Sequence, residues 1–377
     1  MKHISRELYI GLMSGTSMDG IDSAIVDFTE GKANIIATCC QPIPEHLQHL
    51  TRALFLPGDD DIDTLGSVDQ QLGTCFAQAT NALLLQAGLK PSDITAIGSH
   101  GQTVRHRPPS PDTPHPFTLQ IGDPNTIAAQ TGITTVADFR RRDMALGGQA
   151  APLVPAFHRS VFHSETHNRA IVNIGGISNI TLLPIKGEVI GFDTGPGNRL
   201  LDDWIKRHQN KAFDSGGQWA KLHTSDTLLL QQLKSHPFLQ RSIPKSTGRE
   251  EFNKDWLDQQ LKGFDHLSAG CVQATLLAFT AETITDAIRT LPVEVDEVFI
   301  CGGGALNTTL MACLGDLLKP AKVISTAVLG IAPEWVEAAA FAWLARQTLA
   351  GLAGNLPAVT GAKSLSVLGG IYPGYPA

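Results

Sequence analysis

Three turns of small residues in this chain combine backbone donors, hydroxyls and a carboxylate in ways that suit phosphate chemistry. The first is Gly11-Leu12-Met13-Ser14-Gly15-Thr16-Ser17-Met18-Asp19-Gly20. Its glycines let the backbone approach a bulky anion, and its N–H groups with the hydroxyls of Ser14, Thr16 and Ser17 can donate to phosphate oxygens. Asp19 or Asp22 can hold a hydrated Mg2+ through an oxygen ligand. An ordinary hairpin turn is the other reading of the same residues. The second turn is Gly191-Phe192-Asp193-Thr194-Gly195-Pro196-Gly197-Asn198, where an apolar run delivers Asp193 to a strand end. A carboxylate held there by backbone donors can serve as a general base or a metal contact, and it can equally be an Asx-turn residue that shapes the loop. Asn198 and Asp202 stand where helix caps stand. The third turn, Ile300-Cys301-Gly302-Gly303-Gly304-Ala305-Leu306-Asn307, places three glycines between a strand and a helix. No side chain obstructs a flat ring or a phosphate there, which suits adenine and ribose, although a tight strand-to-helix connection needs the same residues. Neither G-x-x-x-x-G-K-[ST] nor a strand followed by G-x-G-x-x-G occurs, so a P-loop and a dinucleotide site are not indicated.

The elements that must position these turns follow from hydrophobic period. Leu8 to Met13, Ile21 to Phe28 and Ala33 to Cys39 read as an antiparallel meander around the first turn. A helix-period run from Leu65 through Val68, Leu72, Phe76, Ala79 and Leu83 ends at Gly88, and Ile94 to Ser99 reads as a strand stopping at His100-Gly101-Gln102-Thr103. Arg105 to Pro124, rich in proline and histidine, reads as a loop able to carry a substrate lid. Asp138 to Pro155 reads as the crossing into a second unit. Beyond it, Ala170 to Leu183 repeats the strand, glycine turn and strand of the opening, and Gly187 reverses the chain into Val189 to Asp193. The last third alternates: a helix over Ala269 to Thr290, a strand over Glu297 to Cys301, a helix to Leu318, a strand over Lys322 to Ser325, and a helix starting near Pro333 and Glu334, where proline suits the first turn. Two copies of one device, each opening half of the chain, point to a duplicated α/β architecture whose turns face each other across a cleft.

Composition agrees with two domains and limits partners. At 377 residues the chain exceeds the size at which a single core stops growing. A formal net charge of −7 repels polyanions such as nucleic acid. The run Arg140-Arg141-Arg142 is either a solvated surface run or an anion contact. Six cysteines (Cys39, Cys40, Cys75, Cys271, Cys301, Cys313) lack zinc or disulfide spacing and read as small buried residues of a reducing compartment. The thirteen histidines form no metal-ligand spacing and read as loop residues. Met1 to Tyr9 lacks the apolar stretch of a signal peptide, and no stretch offers eighteen uninterrupted apolar residues for a membrane span. The expected address is the cytoplasm.

Taken together, the strings Gly11 to Asp22, Ser99-His100-Gly101-Gln102-Thr103, Gln120-Ile121-Gly122-Asp123, Asp138-Phe139-Arg140, Asn173-Ile174-Gly175-Gly176-Ile177-Ser178-Asn179, Phe192 to Asn198, Cys301-Gly302-Gly303-Gly304 and Pro333-Glu334-Trp335-Val336-Glu337-Ala338 resemble, in order, the motif set of the anhydro-N-acetylmuramic acid kinases. The first and sixth are specific, whereas the triple glycine recurs across the actin, hexokinase and acetate kinase superfamily.

The resemblance implies an actin-like (ribonuclease H-like) two-domain fold, with residues 1–137 completed by the C-terminal segment and residues 138–377 as the second domain. It implies a kinase of peptidoglycan recycling and amino sugar catabolism that uses ATP and Mg2+, opens the 1,6-anhydro ring with water and phosphorylates O6. Asp193 matches the family's catalytic aspartate, and Glu337 matches a glutamate near the sugar that bonds its hydroxyls or assists Asp193; a helix-start carboxylate is the other reading of Glu337. The nucleotide and its metal are expected on Gly15, Thr16, Ser17, Met18, Asp19, Gly20, Ile21, Asp22, Gly175, Gly195, Gly197, Asn198, Gly302, Gly303 and Gly304, with Asp22 reaching Mg2+ through water. Gln102 and Arg140 are expected on the lactyl carboxylate and the sugar. The family suggests a homodimer, without nucleic acid or membrane. Two rivals stand: another sugar or carboxylate kinase of the superfamily, which needs no water at an acetal, and a non-enzymatic ATP-binding sensor, which needs a DNA-binding helix-turn-helix for which the opening residues leave no room.

Overall fold

A computed structural model describes residues 6–15, 18, 20–55, 62–110, 113–243, 245–248 and 251–375. Thr16, Ser17 and Asp19 of the first turn lie outside the described residues. The chain divides into two compact units, Met1–Val161 with Trp335–Ala377, and Phe162–Glu334.

In the first unit, β1 (Leu8–Met13), β2 (Gly20–Asp27) and β3 (Asn34–Pro42) form an antiparallel meander, and β4 (Ala96–Ser99) joins β1 in parallel. The strands β5 (Gln102–Arg107) and β6 (Phe117–Ile121) make a separate hairpin. Strand β7 (Thr135–Ala137) pairs parallel to β4, and the strand Gly370–Tyr372 closes that edge antiparallel to β7. The sheet therefore runs β3-β2-β1-β4-β7, then Gly370–Tyr372. Alternation along β1 sends Leu8, Ile10 and Leu12 to one face, where they share a core with Val68, Leu72, Phe76 and Leu83 of the helix Ile62–Ala87. The opposite face carries Gly11 and Gly98, and here the helix Val336–Leu349 lies directly on the strands. A Cβ at Gly11 would run into the carbonyl oxygen of Ala338, and one at Gly98 into that of Phe341.

The second unit contains β8 (Arg169–Ile174), β9 (Ile177–Leu183), β10 (Ile190–Pro196), β11 (Glu297–Cys301) and β12 (Lys322–Ser325), ordered β10-β9-β8-β11-β12. Strands β8, β9 and β10 are antiparallel neighbours, and β11 is parallel to both β8 and β12. This is the same sequence of pairings as β3-β2-β1-β4-β7, so the duplication legible in the strand-turn-strand repeat extends through five strands of each unit. The helix Ala269–Arg289 supplies Leu276, Phe279 and Ile284 to a core with Ala170, Val172 and Ile174.

Several expectations are corrected. Arg105 to Pro124 is not one loop: the end of β5 and all of β6 lie in it, because Val104 and Ile121 carry apolar side chains of the hairpin into the core of the first unit. Asp138 to Pro155 belongs to the first unit, where the buried Asp143 carboxylate accepts from Ala150 N at 2.9 Å, Asn355 Nδ2 at 2.8 Å and Thr360 Oγ1 at 2.8 Å. The two compact units therefore divide at 161/162, beyond the expected 137/138. None of the six cysteines forms a disulfide, and only Cys75 and Cys301 are buried; Cys40 is exposed on the edge strand β3. No helix among the described residues is long and apolar enough to cross a membrane.

Because the seam at Gly98 meets backbone, which cannot rotate aside, Gly98→Ala should destabilise the protein by about 3 kcal/mol. Urea denaturation of variant and parent measures this, and an unchanged midpoint would show that the helix can shift freely.

Candidate active site

In the first unit the site is built on strand ends. Strand β1 stops at Met13, and the Met18 N–H bonds Gly15 O at 3.2 Å to turn the chain into β2. Ser14 Oγ donates to Gln102 Oε1 at 2.8 Å, tying this turn to the start of β5, and both residues are buried. After β4, the His100 N–H bonds Leu12 O at 3.0 Å, and the buried imidazole lies tilted against Phe341 with ring centroids 4.7 Å apart. His100 Nδ1 donates to Gly101 O at 2.9 Å, which leaves Nε2 as an acceptor for Arg140 Nε at 3.1 Å and Nη2 at 3.0 Å. Arg140 Nη1 donates to Ala150 O at 2.7 Å.

This cluster is electrostatically tense. Burial, then the adjacent Arg140 charge, pushes the His100 pKa well below its ordinary value, so the ring is neutral. Burial also pushes the Arg140 pKa down to about 10, against the upward pull of Glu337 and Asp143. Glu337 stands in the first turn of Val336–Leu349 and keeps part of its surface open to solvent, yet protein crowds it closely. Burial raises its pKa, Arg140 lowers it and the nearby Asp22 carboxylate raises it further. Asp22 lies opposite Met13 in the β1–β2 register. Two carboxylates that repel each other suit a divalent cation held largely through water. No group of three or more His, Cys, Asp or Glu side chains able to cage a metal occurs among the described residues.

In the second unit, the turns after β8, β10 and β11 come together. Gly197 N bonds Gly176 O at 3.0 Å and Asn198 N bonds Gly175 O at 2.7 Å, while Asn198 Nδ2 donates to Ile174 O at 3.1 Å. The approach is so close that a Cβ at Gly197 would strike Gly175 O, and one at Gly302 would strike the Asn173 amide oxygen. Gly304 is buried against Ile174, but Gly175 and Gly303 meet nothing closer than ordinary contact, and Gly303 is exposed. A flat ligand can therefore reach the backbone at these two positions. Asp193 sits at the β-bulge of β10: its N–H bonds Lys245 O at 3.0 Å, and its Oδ2 accepts from Thr247 N at 2.9 Å.

Some expected site residues are placed otherwise. Ile21 and Met18 bury their side chains in the core, leaving only backbone for a ligand, and Gly20 packs against Cys40 and Gln41. A Cβ at Gly195 would meet Leu239 and Thr283, so this glycine faces side chains of the second unit's helical layer rather than turn backbone. Gln102 spends its carbonyl on Ser14, and Arg140 has Nε, Nη1 and Nη2 engaged by protein, so neither is set to clamp a carboxylate with both arms. The arginine run is divided, with exposed Arg141 paired to Asp138 at 2.7 Å. Sequence reasoning missed His100, taken for a loop residue, although it follows an apolar strand directly. It also missed Lys245–Thr247, whose signal was the small polar run Ser246-Thr247-Gly248.

Comparison with known proteins decides the family. The profile of the anhydro-N-acetylmuramic acid kinases matches residues 7–374. The chain belongs to that family. Similar relatives bearing that name include those of Shewanella woodyi, 52% identical over 98% of this chain and 100% of the relative, and Shewanella loihica, 52% identical with the same coverage. Among solved structures, the activator of 2-hydroxyisocaproyl-CoA dehydratase from Clostridium difficile with bound ADPNP aligns at a TM-score of 0.48 and 12% identity, covering 89% of this chain and 92% of that one. As a kinase the protein is a phosphotransferase.

Three histidines of the first unit, His100 and His158 buried and His106 half-buried, give the kinase an acid response. Like His100, His106 and His158 are depressed chiefly by burial, to about 4 and about 3. A depressed folded pKa gives stability that is present above the unfolded value of about 6.5 and is lost as pH falls toward the folded one. Glu337, raised, acts with the opposite sign: its contribution is present below the ordinary carboxylate range and is lost as pH rises through its folded pKa. Stability measured by urea denaturation should fall on acidification from pH ~6.5 to ~5, and His158→Phe should shallow that slope by about 1.4 kcal/mol per pH unit. An identical slope in the variant would mean that His158 is protonated when folded.

Proposed function

We propose that this kinase acts on anhydro-N-acetylmuramic acid, opening the 1,6-anhydro ring with water and transferring the γ-phosphoryl group of ATP to O6, to yield N-acetylmuramic acid 6-phosphate for peptidoglycan recycling. The observation that carries the reading is the fixed carboxylate of Asp193, gripped by Lys245 O through its N–H and by Thr247 N–H at Oδ2. A general base needs one held orientation toward the proton it removes. Water attacks C1 and gives its proton to Asp193; the C1–O6 bond breaks with its electron pair on O6; O6 then bonds the γ-phosphorus and ADP departs. Phosphoryl capture neutralises the leaving oxygen, so no separate acid is required there.

The open backbone at Gly175 and Gly303 supports placing the nucleotide on the second unit, beside Gly197, Asn198, Gly302 and Gly304. In the first unit, Gly15 and its neighbours offer phosphate donors, while Glu337 bonds sugar hydroxyls. Arg140, locked on His100 and Ala150, sets positive charge beside Glu337 rather than forking onto the lactyl group. Mg2+, held through water near Asp22, would supply charge neutralisation at the phosphates. Family membership supports the remaining parts of the reading, a cytoplasmic homodimer among them.

Asp193→Asn should lower kcat about a hundredfold or more while KM for ATP is largely kept. In 18O-labelled water the parent enzyme should place the label at C1 of a phosphorylated product. Near-normal turnover in the variant, or an unlabelled product, would remove Asp193 and ring-opening water from the mechanism.

A further inference from the structure

The chain segment that grips Asp193 carries a side chain with no assigned task. Thr247 gives its N–H to Asp193 Oδ2 at 2.9 Å, yet its own Oγ1 is buried without a hydrogen-bond partner among the described residues. A hydroxyl withdrawn from water without a partner costs free energy, so natural proteins leave few of them. Ser99, Ser178, Thr285 and Thr326 also hold such hydroxyls, but Thr247 alone of these donates its backbone to the carboxylate assigned as the base. Covalent geometry keeps Oγ1 within about 4 Å of the same nitrogen, so the hydroxyl and the carboxylate occupy one small region.

We infer that Thr247 is a further residue of the catalytic centre, whose hydroxyl holds the nucleophilic water on Asp193. The inference rests on Asp193 acting as the base. A water molecule has two protons to place. One is donated to Asp193 and transferred as C1 is attacked; the other is donated to Thr247 Oγ1 and stays on the product hydroxyl. With both directions fixed, a lone pair of the water oxygen points at C1. The threonine proton is not consumed, since Oγ1 acts only as an acceptor. The same short segment thus orients the base through its backbone and the nucleophile through its side chain.

The test compares Thr247→Val, which keeps shape and the backbone N–H, with Thr247→Ser, which keeps the hydroxyl. Loss of one neutral hydrogen bond to the attacking water should lower kcat about tenfold in Thr247→Val, with KM for ATP within about twofold of the parent. Thr247→Ser should return kcat to within about twofold of the parent. The thermal midpoint of the valine variant should hold or rise, because a buried hydroxyl without a protein partner is gone. Parent-like kcat in Thr247→Val would overturn the inference, and so would a fall in thermal midpoint with kcat kept, which marks a structural water. Where the valine variant does not fold, Thr247→Ala against Thr247→Ser makes the same comparison, and equal rates would overturn it. Asp193→Asn assayed in parallel separates the two readings: an inactive asparagine variant with an active valine variant removes only Thr247, whereas an active asparagine variant removes the base itself.

Discussion

The contact between the helix Val336–Leu349 and the bare backbone of β1 and β4 sets the geometry of the first unit. Helices ordinarily rest on sheets through a layer of side chains; here Gly11 and Gly98 remove that layer and the carbonyls of Ala338 and Phe341 lie against the strands. Ala338, Ala339, Ala340, Ala342 and Ala345, all buried, are the small residues that such an approach requires. The close seat brings the helix start, and with it Glu337, to the strand ends that carry Ser14, Asp22 and His100. It also crowds a carboxylate and an arginine there, whose mutual attraction offsets part of the cost of burying them.

The second unit uses the same order of strands for a different end. After β8 the chain turns at Gly175–Gly176, and the turns following β10 and β11 fold over it with backbone hydrogen bonds and interlocking glycines. In the first unit the equivalent turn after β1 is tied instead by side chains, Ser14 to Gln102. One topology thus yields a backbone cradle in one copy and a side-chain network in the other. Duplication supplies the scaffold, and the residues at the strand ends supply the difference.

Much of this was legible in the sequence because strands and turns write locally. The apolar runs around Gly11 to Gly20, Gly175 to Gly176 and Gly302 to Gly304 announced their strands, and the repeat of the opening device announced two similar halves. What stayed hidden depends on distant partners. The hairpin of β5 and β6 was masked by the proline and histidine of its connection, although Val104, Thr118 and Ile121 were there to be buried. Placing Asp138 to Pro155 required knowing that Asp143 would find Asn355 and Thr360, some two hundred residues on. The neutral, acceptor state of His100 is likewise set by Arg140 and Gly101 together, and no spacing rule encodes that pairing. Thr247 reaches Asp193 across more than fifty residues, so only coordinates bring the two side by side.

The first unit is interrupted by the whole of the second, since residues 335–377 return to a sheet begun near Leu8. On the ribosome, where domains form as their residues emerge, the continuous stretch 162–334 can settle while the opening sheet still lacks the helix that covers its glycine face. The nascent polypeptide must keep that apolar surface out of trouble until Val336–Leu349 is made. Glu337 travels on this closing piece, so completion of the scaffold and delivery of its acidic group are a single event in synthesis.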